Sequence, residues 1–275
     1  MPNNTPLSST NVISFMGANY VARQVGYHMT GGWGEGDRAT NAYFQPLETF
    51  AQRFEELLQD VRAMGFTALD IWNAQLNWAW ATPEHLRIAQ QLLEKYQLPV
   101  TSLAGFFGRT PQELEAACRV AVAVGTTILG GLTSLLQTDR PAAIAILKQY
   151  GVRLGIENHP EKNPQEILAK IGDGGDGTIG TAIDTGWYGT QGYSAVKAIE
   201  ELFPHIVLVH LKDVRAPGAH ETCRYGQGVV DIAGCVSALK RLRYTGSYSI
   251  EHEPELFDPT EDCKAMLVML REWLA

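Results

Sequence analysis

The chain has 275 residues, 45% of them apolar and 19% charged, a globular mixture that excludes a disordered or fibrous protein. Thirty acidic residues against 22 Lys and Arg give a net charge of -8, and no basic stripe runs through the sequence, so nucleic acid is not an expected partner. No run reaches the ~18 apolar residues of a membrane span, residues 1–10 lack the features of a secretory signal, and Cys118, Cys223, Cys235 and Cys263 are dispersed without CxxC spacing. Reduced thiols, no membrane partner and a cytoplasmic location are the expectation.

Residues 1–10, polar and proline-bearing, read as a flexible N-terminal tail, and residues 11–275 as one domain. Short β-branched or apolar runs at 12–16, 68–72, 100–103, 127–130, 153–157, 179–184, 206–211 and 248–252 read as strands. Amphipathic segments at 47–64, 83–96, 111–124, 140–150, 164–170, 193–203, 232–243 and 259–274 alternate with them. The first places Phe50, Phe54, Leu57, Leu58 and Val61 on one face and stops at Gly65. Thr110, Pro111 and Glu113 form a capping-box signature, and Asp139, Asp231 and Asp258 stand at other helix starts.

Eight such alternations match an α/β fold of the (β/α)8 TIM barrel type, a single domain. A doubly wound sheet would need a glycine fingerprint after its first strand, which is missing. GGWGEG at 31–36 contains Trp33 and reads as a flexible loop that does not open onto a helix. Successive strands start roughly 26–32 residues apart, except after the first and the seventh, where the surplus makes a long βα1 loop (17–46) and a long βα7 loop (215–230). Barrel enzymes keep their active sites on that face, so both loops are expected to cover the site.

Strands five to eight end in polar clusters: GIENHP (155–160), AIDTGW (182–187), VHLKD (209–213) and SIEHEPE (249–255). A carboxylate at the mouth of an apolar strand costs several kcal/mol unless it is paired or bound to a cation. Glu157, Asp184, His210 and Glu251 would converge from four neighbouring strands and repel one another, and a divalent metal between them resolves this. Residues two apart share a face of a strand, which places His159, Lys212 and Glu253 one layer higher, at substrate depth.

With ENHP, DTG, HLKD and a final E-x-E on eight alternating units, the chain resembles the xylose isomerase-like barrel superfamily, in particular its sugar phosphate isomerase/epimerase branch. The resemblance implies one divalent ion, Mn2+ first, with Mg2+, Co2+ or Zn2+ as others, held by Glu157, Asp184, His210 and Glu251. GQGVVD, with Gly226, Gly228 and Asp231, is similar to the family's turn before its seventh helix. Two positions depart from many of its epimerases: Trp187 stands where they carry a histidine, and Ala216, beside Arg215, where they carry an arginine. Substrate contacts should therefore differ, with Arg215 and Trp187 among them. The superfamily's DNA-repair branch uses more histidines and a three-metal cluster, which seven histidines and an acidic chain do not suit.

Three oxygen ligands and one nitrogen suit a hard or borderline ion that polarises a sugar carbonyl and supports an enediolate. Glu157 and Glu251 can then pass a proton to and from opposite faces, with His159 as an alternative base and Lys212 supporting the oxyanion. Trp33, Trp72, Trp78, Trp80 and Trp187 fall in regions of the active-site face, which favours a small-molecule sugar, a ketose or keto-glycoside, as partner. β-Elimination by a lyase or dehydratase is the alternative, and a non-catalytic sugar-binding protein a third. Relatives of this branch form homodimers or homotetramers, which extends to an expectation for this chain.

Overall fold

The computed structural model describes residues 12–275, so the tail expected at 1–10 lies outside the described residues. Seven strands open the chain: β1 (Ile13–Met16), β2 (Ala68–Trp72), β3 (Val100–Phe106), β4 (Ile128–Leu132), β5 (Arg153–Glu157), β6 (Ile179–Asp184) and β7 (Ile206–Leu211). After the short ribbon β8 (Asp213–Val214) and β9 (Thr222–Cys223), strand β10 (Tyr248–Ile250) returns between β7 and β1 and closes a parallel eight-stranded barrel. The fold is therefore the (β/α)8 TIM barrel that the alternation predicts. Among the described residues no helix is long and apolar enough to cross a membrane.

Helices on the outer ring begin where their caps require. Thr110 accepts from the Glu113 amide and Glu113 reaches back to the Thr110 amide at the start of α4 (Pro111–Ala123). Asp139 and Asp231 cap α6 (Arg140–Tyr150) and α10 (Ile232–Arg241) by accepting from the Ala142 and Gly234 amides. The face predicted for α2 (Leu47–Ala63) is the one it buries, from Phe50 to Val61.

The barrel interior is filled by side chains of uneven size. Leu208 reaches across to Gly130, where a Cβ would lie 2.6 Å from Leu208 Cδ2, so glycine there makes room for leucine opposite. Above this packed layer His210, two residues on along β7, points the same way and begins the polar tier.

Both long loops are more ordered than a flexible-loop reading implies. GGWGEG does open a helix, α1 (Trp33–Phe44), which corrects the expectation for 31–36. Glu35 accepts from the amides of Thr30 and Gly31 at 2.8 and 2.6 Å, fixing the first turn. Gly36, Thr40 and Phe44 form its buried stripe, and Gly36 lies so close to Val21 O that a Cβ would come within 2.2 Å. The βα7 loop folds around the buried Asp213, whose carboxylate accepts from Gly226, Gly228 and Val230 amides at 3.0–3.1 Å. Asp213→Ala should strand these donors and lower stability by about 3 kcal/mol. A urea midpoint that does not move would show that the loop is held some other way.

Candidate functional site

Glu157 ends β5, Asp184 ends β6, His210 lies near the end of β7, and Glu251 follows β10, so parallel register alone brings them to one end of the barrel. Asp184 pairs directly with His210 across β6 and β7, and His210 with Ser249 across β7 and β10. Ligand atoms of Glu157, His210 and Glu251 all lie within 4.8 Å of one another. His210 Nδ1 faces Glu157 Oε1 at 3.3 Å and Glu251 Oε2 at 3.5 Å.

The other imidazole nitrogen reveals a residue that the sequence reading missed. Asp70, in the middle of β2 and fully buried, accepts from His210 Nε2 at 2.9 Å and from Ser249 Oγ at 3.1 Å. A carboxylate can only accept, so Nε2 carries the proton and Nδ1 is left to face the two glutamates. An imidazole held this way by a carboxylate behind it is the usual orientation for a metal-binding histidine. The signal was present in ALDIW, a lone acid within an apolar strand.

Asp184, expected as a fourth ligand, is not part of this triad. Its Oδ1 accepts from the Trp187 amide at 3.1 Å, capping α8 (Thr185–Thr190). Its Oδ2 lies 3.0 Å from Lys212 Nζ and 3.3 Å from His159 Nε2. Both oxygens are thus engaged, and the carboxyl is held well below its ordinary range because Lys212 and His159 outweigh its burial.

Lys212 is buried among acids, with Nζ 3.0 Å from Asp184 and 3.1 Å from both Glu251 and Glu253. Burial pushes the Glu251 carboxyl up to about 8, opposed by Lys212 and reinforced by Glu253. Burial also works against charge on His210, but Glu251, Asp70 and Glu157 overcome it and raise its pKa well above the ordinary value. For His159 burial is likewise outweighed, by Glu157 and Asp184, which bring it up to about 8. Positive charge is therefore what the cluster lacks.

The donor set fits a divalent cation. Two carboxylates and an imidazole converge from three strands, and Glu251 Oε2 is buried without a hydrogen-bond donor among the described residues. With Nε2 donating to Asp70, Nδ1 is the nitrogen that would hold the ion between the two glutamates.

A cavity of about 580 Å³ rises from the triad. Its lining includes Glu157, Asp184, Glu251, Glu253 and Glu255 together with Trp33, Trp72, Phe106, Leu132 and Trp187. Trp33 opens α1, packs on Trp72 with ring centroids 5.2 Å apart, and donates from Nε1 to Glu253 Oε1 at 3.3 Å. Trp187 stacks on His220, contributed by the βα7 loop, at 5.0 Å. Three of the five tryptophans singled out in the sequence therefore line the cavity. Trp78 and Trp80 do not; their indole N–H groups donate to Phe106 O and Asn41 Oδ1, and both pack against the hydrophobic core. Arg215 does not line it either, because it pairs with Glu221 on an exposed edge.

A sequence model of the xylose isomerase-like TIM barrel matches residues 58–273. The chain belongs to that family. Among curated proteins, L-ribulose-5-phosphate 3-epimerase UlaE of Shigella boydii is 41% identical over 70 residues, 26% of this chain and 23% of the relative. The match thus spans about a quarter of that relative's length. Among solved structures, D-allulose 3-epimerase from Methylomonas sp. in complex with D-allulose superposes with a TM-score of 0.67 at 15% identity, covering 97% of this chain and 98% of that one. The 3-keto-D-glucoside 4-epimerase YcjR from E. coli gives 0.65 at 15% identity, covering 96% and 100%. The family model thus places the chain among xylose isomerase-like TIM barrels, and the two structures bear on its fold alone.

Ligands must shed protons to bind a metal, and burial pushes the Glu251 carboxyl up to about 8. Mn2+ affinity should therefore rise as pH climbs through about 8, with proton release visible by calorimetry in buffers of different ionisation enthalpy. An affinity independent of pH would contradict this. Asp70→Asn should weaken Mn2+ binding about 10–100-fold.

Proposed function

We propose that the chain is a divalent-metal-dependent isomerase or epimerase acting on a keto-sugar or keto-glycoside. The observation that carries this is the Glu157–His210–Glu251 cluster at the foot of an aromatic-walled cavity. Glu157, His210 and Glu251 would hold the ion, with Mn2+ the best match to two oxygens and one nitrogen. When bound, such an ion polarises a sugar carbonyl and offsets the charge that develops as the neighbouring C–H is deprotonated.

The side chains divide the remaining work. Glu157 comes from β5 and Glu251 from the end of β10, two strands apart from one another on either side of β6 and β7. They approach a substrate from different directions, so one can take a proton from carbon and the other return it to the opposite face, which inverts the centre. Their environments also differ: Glu157 is kept below its ordinary value, with His159 and His210 outweighing its burial, whereas Glu251 is pushed up to about 8 by burial. With the ion held, both carboxylates are ionised, so Glu157 would take the proton from carbon and Glu251 would return one drawn from solvent. His159, 3.9 Å from Glu157 Oε2, steadies the base, and Lys212 holds Asp184, Glu251 and Glu253 in register beneath the substrate. Trp33, Trp72 and Trp187 offer flat apolar faces to a sugar ring, and Glu253 an acceptor for its hydroxyls.

Glu157→Gln should leave the fold intact and lower turnover by about 1000-fold, since a positioned acid or base supplies 10²–10⁴-fold. Glu251→Gln should affect solvent-proton exchange at the substrate carbon and product formation unequally, measured by NMR in D2O. Equal, mild losses in both variants would remove the glutamate pair from the reaction.

A further inference from the structure

The walls of the cavity also bear on the charge of what enters it, an inference that rests on the reading of the site as a keto-sugar isomerase or epimerase. Five carboxylates line it, those of Glu157, Asp184, Glu251, Glu253 and Glu255, with one lysine and no arginine among the described residues. That lysine is committed to three of the acids. Of the two lining histidines, His159 lies between Glu157 and Asp184, and His220 stacks on Trp187. Two nearby arginines are paired elsewhere, Arg215 with Glu221 and Arg224 with Asp262, and Arg109 lies over the Phe106 ring without lining the cavity.

Backbone amides, the other common means of holding a phosphate, are occupied as well. Asp184 caps the start of α8, Glu35 takes the Thr30 and Gly31 amides ahead of α1, and Asp213 takes the amides of Gly226, Gly228 and Val230. At these three turns the chain's own carboxylates occupy the amides that an anion would use. Even with His159 counted as charged, a divalent ion and Lys212 bring the total to four positive charges against five carboxylates, so the loaded site keeps a net negative charge and disfavours a dianion.

We propose that this cavity selects an uncharged keto-sugar ring and excludes sugar phosphates. Trp33, Trp72 and Trp187 hold the ring by its apolar faces, and the acids accept from its hydroxyls. The substrate named for UlaE is a phosphate ester; this chain presents no unengaged cation to one among its described cavity residues.

Binding to the Mn2+-loaded chain, followed by tryptophan fluorescence, tests this with two matched pairs: D-fructose against D-fructose 1-phosphate, and methyl 3-keto-β-D-glucopyranoside against its 6-phosphate. The uncharged member should bind about tenfold or more tightly at low salt in each pair, and the gap should narrow as salt screens the walls. Glu255→Lys, a change at an exposed rim position, should narrow it further. Equal or tighter binding of either phosphate, or no binding by any of the four, overturns the proposal. Preference for the uncharged members without carbon-bound proton exchange in D2O for any keto-sugar leaves charge selection standing and overturns the isomerase reading instead.

Discussion

The crowding of carboxylates at one end of the barrel is the constraint around which the site is arranged. Glu157, Asp184, Glu251 and Glu253 stand within a few ångströms of two buried cations, Lys212 and the imidazole of His210. In a low-dielectric interior, like charges at such distances are strongly unfavourable unless positive charge is interleaved with them. Lys212 satisfies Asp184 and Glu253 and one oxygen of Glu251. The other oxygen of Glu251 and the facing oxygen of Glu157 share only His210 Nδ1, which leaves a place for one more positive charge.

The scaffold makes that crowding possible by placing its supports where they cannot relax. Parallel strands fix Asp184, His210 and Ser249 side by side, and the packed layer around Leu208 closes the barrel beneath them. Asp70 reaches His210 from the far side of the interior and determines which nitrogen faces the glutamates. On the open side, α1 brings Trp33 over the cavity and ties it to Glu253, while Asp213 gathers the βα7 loop that carries His220. Charge, aromatic surface and loop order therefore meet at a single cavity.

Much of this was legible in the sequence because it is periodic or local. Alternating apolar runs and helical faces located every barrel strand to within a few residues, and Thr110, Asp139 and Asp231 marked helix starts by side-chain chemistry that acts over three residues. Helix α1 escaped because its glycines disfavour helix intrinsically, and its stability comes from Glu35 and from close packing of Gly36 on Val21, neither of which a composition reading weighs. Asp70 escaped because its partner lies 140 residues away. Alternation brought Asp184 to the expected layer, while the partners of its two oxygens, Trp187, Lys212 and His159, are set by side-chain reach rather than by strand period. Trp78 and Trp80 sit on the predicted face but, half-buried, pack against the core rather than line the cavity, a choice made by tertiary packing.

Locating the ion directly tests the account most sharply. Crystals of the chain grown with Mn2+ and measured at the manganese absorption edge should give an anomalous peak about 2.0–2.3 Å from a carboxylate oxygen of Glu157, Nδ1 of His210 and a carboxylate oxygen of Glu251. A peak elsewhere, or none there while Mn2+ is present in excess, would contradict the claim that these three side chains are held apart by a metal.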